Sequence, residues 1–257
     1  MMNSLTELKT VLFFIGSHRT GSSIIKCIID AHENCMISHE RARTGIYSDL
    51  LASKITKQYV IKQFCLHSGW NTSPRILDNG KESYYDNHIE NSYQGTCKKM
   101  EIVGDKGSPW TACLFLNDPT IHTKLETIFG VDVKYIHTIR NPFDVIDILD
   151  KDDIEHSTNL FIRNCKGTEI AKCVVCDKIL DIYIEDFQKN PSTNIKRIFS
   201  FLNQPVTDEF VNNCLKIIKK KNPRRFLRKW TKEQKDKIQN IIDTYPWLSK
   251  YTFEELK

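Results

Sequence analysis

Two stretches of the chain bring charge-handling residues to a point where a strand gives way to a helix. The first is Val11–Asp30, VLFFIGSHRTGSSIIKCIID. Val11–Ile15 are all apolar, the composition of a strand buried on both faces. Gly16 and Gly21 bracket a short polar loop, and Ile24, Ile25, Ile28 and Ile29 then recur at helical spacing. Strand, glycine loop and helix together form a phosphate cradle. The loop amides and the first-turn amides point at an anion, and the helix dipole favours it. Arg19 places a positive charge inside that loop, and Ser22 and Ser23 add two hydroxyls. The second stretch is Val133–Ile139, VKYIHTI, running into Arg140-Asn141-Pro142. Asn141 is a good N-cap, Pro142 suits the first helical position, and Asp144 is placed for a capping-box-like pair. Arg140 therefore stands at a second helix N-terminus. A ligand with two anionic groups could bridge the two sites.

The elements that must position these residues are short strands and amphipathic helices in alternation. Strands are expected at Val11–Ile15, Cys35–Ser38, Glu101–Val103, Val133–Ile139 and Ile179–Ile184, with Gly104–Pro109 as a turn. Ala31–Asn34 closes the first helix. Ile46–Phe64 carries a loose helical pattern, and Gly69–Gln94 reads as loop. Asn190-Pro191 opens a helix through Leu202, and Thr231-Lys232-Glu233-Gln234 is a capping box for a helix to Asp243. The alternation implies a single α/β domain over residues 1–257, with a mainly parallel sheet, helices on both faces and the ligand at the carboxyl ends of the strands. Residues 44–99 are its variable part, read as an acceptor-side insertion with Trp70, Tyr84, Tyr85 and Tyr93 as candidate lining.

Gly16-x4-Gly21 has the spacing of the ATP-binding P-loop, but Ser22 stands where that motif needs Lys. The form Arg19-Thr20-Gly21-Ser22-Ser23 resembles instead the 5′-phosphosulfate loop of sulfotransferases, which use 3′-phosphoadenosine-5′-phosphosulfate (PAPS) as donor. Further motifs follow in the family's order. Ile29-Asp30-Ala31-His32 matches, with Glu33 in place of a Pro, and Glu40 takes the position of the acid that is the base in the tyrosylprotein sulfotransferases. Gly104-Asp105-Lys106-x-x-Pro109 resembles the bacterial-type segment that brings a Lys to the transferring group. Gly107 and Ser108 stand where cytosolic small-molecule enzymes have a His base. Arg140-Asn141-Pro142-x-Asp144 resembles the 3′-phosphate motif, although Ile148 replaces its usual Ser. Ile184-Glu185-Asp186-Phe187, Asn190-Pro191 and Phe201-Leu202 match the tail pattern, and a basic loop follows. The likeness runs from Val11 to Trp247 and leaves the insertion unmatched.

The resemblance implies sulfuryl transfer from PAPS to a hydroxyl or amine, leaving adenosine 3′,5′-bisphosphate, with no metal required. Ser17, His18, Arg19, Thr20, Gly21, Ser22 and Ser23 would hold the 5′-phosphosulfate. Lys106 would be a second cation on the leaving oxygen. Arg140, with Arg224, Arg225 and Arg228 of the basic loop, would take the 3′-phosphate. Glu40 would be the general base, which requires partial burial to raise its pKa. His39 is expected to point the other way if the strand continues through it, and His137 to lie in the core. The acceptor is a small molecule, glycan or peptide that no motif identifies.

Composition narrows the alternatives. Hydrophobic content of 40% and charged content of 27% are ordinary for a globular protein. No apolar run approaches a membrane span, so a cytoplasmic protein is expected. The nine cysteines include several in apolar runs, such as Cys27, Cys113 and Cys214, which suits reduced, buried thiols. Cys173-x-x-Cys176, with Cys165 upstream, lacks the second pair or His that a zinc site needs, and Val174 and Val175 read as packing. Residues 216–237 hold eleven basic and two acidic side chains, against 26 basic and 30 acidic in the rest of the chain. That segment allows a nucleic-acid-binding module as an alternative, ranked last because it carries no nucleic-acid motif. A P-loop kinase or NTPase is the runner-up enzyme, weakened by the missing Lys and the lack of a clear Mg²⁺-binding acid.

Overall fold

A computed structural model describes residues 7–41, 45–69, 87–149, 152–219 and 223–254. Five strands, β1 (Thr10–Ile15), β2 (Cys35–Ser38), β3 (Ile102–Asp105), β4 (Asp132–Ile139) and β5 (Ile179–Tyr183), form one sheet in the order β2-β3-β1-β4-β5. Every neighbouring pair is parallel. The glycine-loop strand β1 is therefore central. The chain first moves to one side of it, for β2 and β3, and then crosses to the other, for β4 and β5. Such a reversal opens a crevice at the carboxyl ends of β1 and β4, the usual place for a ligand in this architecture.

β1 alternates between two cores, as a strand covered on both faces must. Val11, Phe13 and Ile15 pack with α2 (Ile46–Leu51), α3 (Lys57–Leu66), α4 (Ser108–Asn117), α5 (Ile121–Phe129) and the C-terminal part of α7 (Ile154–Val175). Leu12 and Phe14 pack with α1 (Ser22–Asp30), α8 (Ile184–Lys189), α9 (Pro191–Phe201) and α10 (Asp208–Leu215). A third core joins α6 (Pro142–Leu149), the N-terminal half of α7, and α11 (Lys232–Thr244) to Tyr245–Tyr251 at the end of the chain.

The differences from the sequence-based expectation have local causes. Ile46–Phe64 is two helices, because Thr56 caps Tyr59 and restarts the turn. β3 runs on through Gly104 and Asp105 rather than turning at Gly104. A Cβ at Gly104 would lie 2.1 Å from the Leu12 carbonyl oxygen, so glycine lets β1 and β3 pair closely there. Ile184 leaves the strand and starts α8, which takes Glu185-Asp186-Phe187 with it. Helix α7, 22 residues long, has weak amphipathic signal because Ser157, Thr158, Asn164 and Thr168 are among its buried residues. The Thr231/Gln234 capping box forms as the spacing requires.

Candidate functional site

The site is built where β1, β3 and β4 end. After β1 the loop is pinned from below. Thr20 Oγ1 donates to the Ser17 carbonyl at 3.0 Å and lies 2.7 Å from Thr138 Oγ1 on β4. Asn164 Nδ2 on α7 reaches Ser17 Oγ at 3.5 Å. Ser17 and Thr20 are thus buried ties that shape the loop. Arg19 is exposed and adopts a left-handed φ of 64°. Gly21 is the N-cap of α1 with φ 85°, and no side chain caps the first-turn amides. A Cβ at Gly21 would lie 2.5 Å from Ile184, so α8 packs directly under the cradle. His18 turns its ring edge-on to Trp110 of α4, with centroids 5.1 Å apart.

Lys106, one residue past β3, brings a cation to this loop. Its side chain is 8% exposed, and Nζ donates to Glu40 Oε1 at 2.7 Å and to Ser23 Oγ at 3.4 Å. Ser23, Lys106 and Glu40, drawn from three strand ends, thus meet at one helix N-terminus, with Arg19 in the loop that leads into it. The pairing corrects two expectations. Glu40 is not raised in pKa. Desolvation pushes its carboxyl up, but the charge and hydrogen bond of Lys106, helped by His39 and His18, outweigh this and hold it below the ordinary value. His39 does not point away, since β2 stops at Ser38 and Glu40 turns left-handed with φ 55°. His39 Nε2 consequently lies 4.0 Å from Glu40 Oε1. His137 is in the core as expected, bonded through Nδ1 to Asp181 at 3.0 Å.

The second candidate anion site abuts the first. Arg140 ends the strand next to β1, and its Nη1 donates to the Arg19 carbonyl at 3.3 Å. Asn141 does begin α6, with its Oδ1 accepting from Phe143 N at 3.1 Å. Asp144 does not complete a box with it. Glu185 Oε1 takes the Asn141 amide at 2.9 Å, and Asp144 faces the basic loop instead. Asp144 Oδ1 accepts from the amides of Arg224 and Arg225 at 2.8 and 2.7 Å, and its Oδ2 from Arg225 Nη1 at 2.9 Å. Arg225 is buried, and it also donates to the carbonyls of Phe253 and Glu254. It supports the loop rather than projecting from it. Arg224 and Arg228 both bond Asp147, at 3.2 and 2.7 Å, beside Ile148. They remain partly accessible at the rim.

Part of the expected acceptor insertion lies elsewhere. The Tyr93 amide bonds the Ala31 carbonyl, and Gln94 bonds that of Cys27. Both contacts are at the C-terminal end of α1, away from the cradle at its N-terminus, so Tyr93 does not line the site. Trp70, Tyr84 and Tyr85 fall outside the described residues. Among the described residues of the insertion, Tyr47 reaches the strand end that carries Lys106, its hydroxyl donating to Asp105 Oδ2 at 2.9 Å. Trp110 was not singled out in the sequence. The available signal was its position four residues after Lys106, on the helix that the Gly-Ser-Pro turn opens.

All nine cysteines are free thiols. Cys27 and Cys214 are buried, and burial raises both pKa values. Cys173 and Cys176 are exposed at the end of α7. Among the described residues no group of His, Cys, Asp or Glu is arranged to hold a metal ion. None of the helices described is long and apolar enough to cross a membrane.

No protein-family model and no curated protein matches the chain. Solved structures similar to it include the sulfotransferase domain from the olefin synthase of Synechococcus PCC 7002, at TM-score 0.48 and 14% identity over 91% of this chain and 88% of that one. Sulfotransferase STF9 from Mycobacterium avium has TM-score 0.49 and 11% identity over 95% and 79%. Mouse sulfotransferase SULT7A1, solved with PAP, has TM-score 0.45 and 11% identity over 97% and 93%.

Proposed function

We propose that this chain is a sulfotransferase, transferring a sulfuryl group from PAPS to a hydroxyl or amine acceptor. One observation carries the reading. Two helix N-termini with an arginine each meet on adjacent parallel strands, and a buried lysine from a third strand stands over the first beside a carboxylate. The residues present fit such a donor. The first-turn amides of α1 have no side-chain cap, Arg19 is exposed, and Lys106 lies within reach of Ser23. Arg140, with Arg224 and Arg228 at the rim, offers charge for a second phosphate. An ATP-binding loop would carry its lysine at position 22, where this chain has Ser.

When bound, the donor supplies the sulfuryl group and a phosphate leaving group. Arg19 and the amides of Gly21–Ser23 hold the transferring end, and Lys106 neutralises charge growing on the leaving oxygen. Most of the rate enhancement then comes from positioning and charge stabilisation. Glu40 takes the proton from the acceptor. An anion over the loop competes for Lys106, and as Lys106 turns to it, burial is left to raise the Glu40 carboxyl toward a useful base.

The test is thermal. At a hundredfold excess over its dissociation constant, adenosine 3′,5′-bisphosphate should stabilise the protein by ~2.7 kcal/mol. Adenosine 5′-monophosphate, which lacks the 3′-phosphate, should do far less, and Arg140→Ala should erase most of the difference. Equal melting shifts with ATP and the bisphosphate in the wild type would sink the reading.

A further inference from the structure

Glu40 has an unusual backbone for its role. A left-handed φ of 55° is uncommon for a residue with a side chain and persists where its surroundings favour it. Here one carboxylate bonds the chain on both sides of it. Asp105 is fully buried at the end of β3 and sits opposite Ser38 in the β2–β3 register. Its Oδ1 accepts from Ser38 Oγ at 2.5 Å, two residues before Glu40, and from the Arg41 amide at 2.8 Å, one residue after it. Its Oδ2 accepts from Tyr47 Oη at 2.9 Å, on the helix that follows. Burial, then the Asp105 charge and hydrogen bond, raise the Tyr47 pKa well above its ordinary value, so the phenol stays a donor. The Lys106 amide donates to the Ser38 carbonyl at 3.1 Å and closes the same turn. One strand end therefore supplies both the cation that pairs with Glu40 and the acceptor that grips the chain on either side of it.

We propose that Asp105 is a positioning residue, holding Glu40 in its left-handed turn against Lys106. Its importance for turnover rests on the reading of Glu40 as base, but its effect on Glu40 can be measured without donor or acceptor. The groups facing the Glu40 carboxyl are Lys106 from β3, His18 from the glycine loop and His39 from its own turn. Holding Glu40 against them keeps its titration low. A carboxyl released from them should titrate nearer the ordinary value of about 4.3.

The experiment is a ¹³C NMR titration of glutamate carboxyls, with Glu40 assigned by its disappearance in Glu40→Gln. In the wild type Glu40 should titrate below the ordinary carboxylate range. In Asp105→Asn it should move up. Loss of a nearby negative charge alone would move it down, so the two effects have opposite signs. No movement, or a downward one, in a folded Asp105→Asn overturns the proposal. Ser38→Ala and Tyr47→Phe each remove one arm and leave the buried carboxylate, which covers the case where Asp105→Asn fails to fold. At least Ser38→Ala should shift the titration upward, and no shift in either variant overturns the proposal. In turnover, Ser38→Ala should lower kcat about tenfold at an unchanged KM for donor. If Glu40→Gln turns over normally while the titrations shift as expected, the base assignment falls and the clamp stands.

Discussion

The two halves of the crevice handle charge in opposite ways. On the β3 side, Lys106 and Glu40 form an ion pair at the mouth of the α1 cradle, with side chains 8% and 24% exposed, and Ser23 Oγ and His39 Nε2 lie beside it. On the β4 side, Arg225 of the basic loop is closed off against Asp144, while Arg224 and Arg228 stay partly accessible at the rim. Arg225 and Asp144 are 7% and 3% exposed, and Asp147 serves two arginines at once. In the proposed mechanism the donor takes the first arrangement apart. The second holds the loop, α6 and the chain end together. A charge becomes available for chemistry only where its internal partner can be exchanged at low cost. A buried, multiply bonded pair cannot be exchanged in that way.

The sharpest way to break this comparison is Glu40→Gln. If the β3 side is the reacting side, the rate of bisphosphate release with a working acceptor should fall ~10²–10⁴-fold, while melting temperature and bisphosphate affinity stay near wild type. An unchanged rate would remove the distinction between the two sides. The complementary change is Asp144→Ala, which leaves Arg225 buried without its carboxylate. It should cost about 3–5 kcal/mol in urea unfolding. A variant that unfolds like the wild type but binds the bisphosphate poorly would instead make Asp144 part of the binding machinery.

The smallest effect sharpens the same contrast. Glu40 has a folded pKa below its unfolded value, so its pairing stabilises the protein above the unfolded carboxylate pKa. That contribution is lost as pH falls through the lowered folded value. The pair is partly exposed, so the gap between wild type and Glu40→Gln should be at most about 1 kcal/mol near pH 7. It should shrink to nothing in acid. A gap that persists in acid would mean that Glu40 stabilises the turn by shape rather than charge.

Short-range patterns made much of this protein legible. The apolar run Val11–Ile15, the Gly16–Gly21 spacing and the isoleucines at helical intervals placed the cradle, because strand period, loop torsions and helix face are decided within a few residues. The Thr231/Gln234 cap and the strand feeding Arg140 were read for the same reason. Lys106 and Glu40 could be named, but their meeting could not. They are 66 residues apart, and only the β2–β3 pairing brings them to 2.7 Å. The basic run looked like a free anion surface because its partners Asp144 and Asp147 lie elsewhere in the chain. Arg225 reaches Asp144 across 81 residues. Asp105 passed as part of a turn for a similar reason. Its hydrogen bonds to Ser38, Arg41 and Tyr47 exist only once β3 lies beside β2. Local sequence determines which residues can carry charge. The tertiary fold decides which of those charges are already neutralised, because that depends on contacts between segments far apart in the chain.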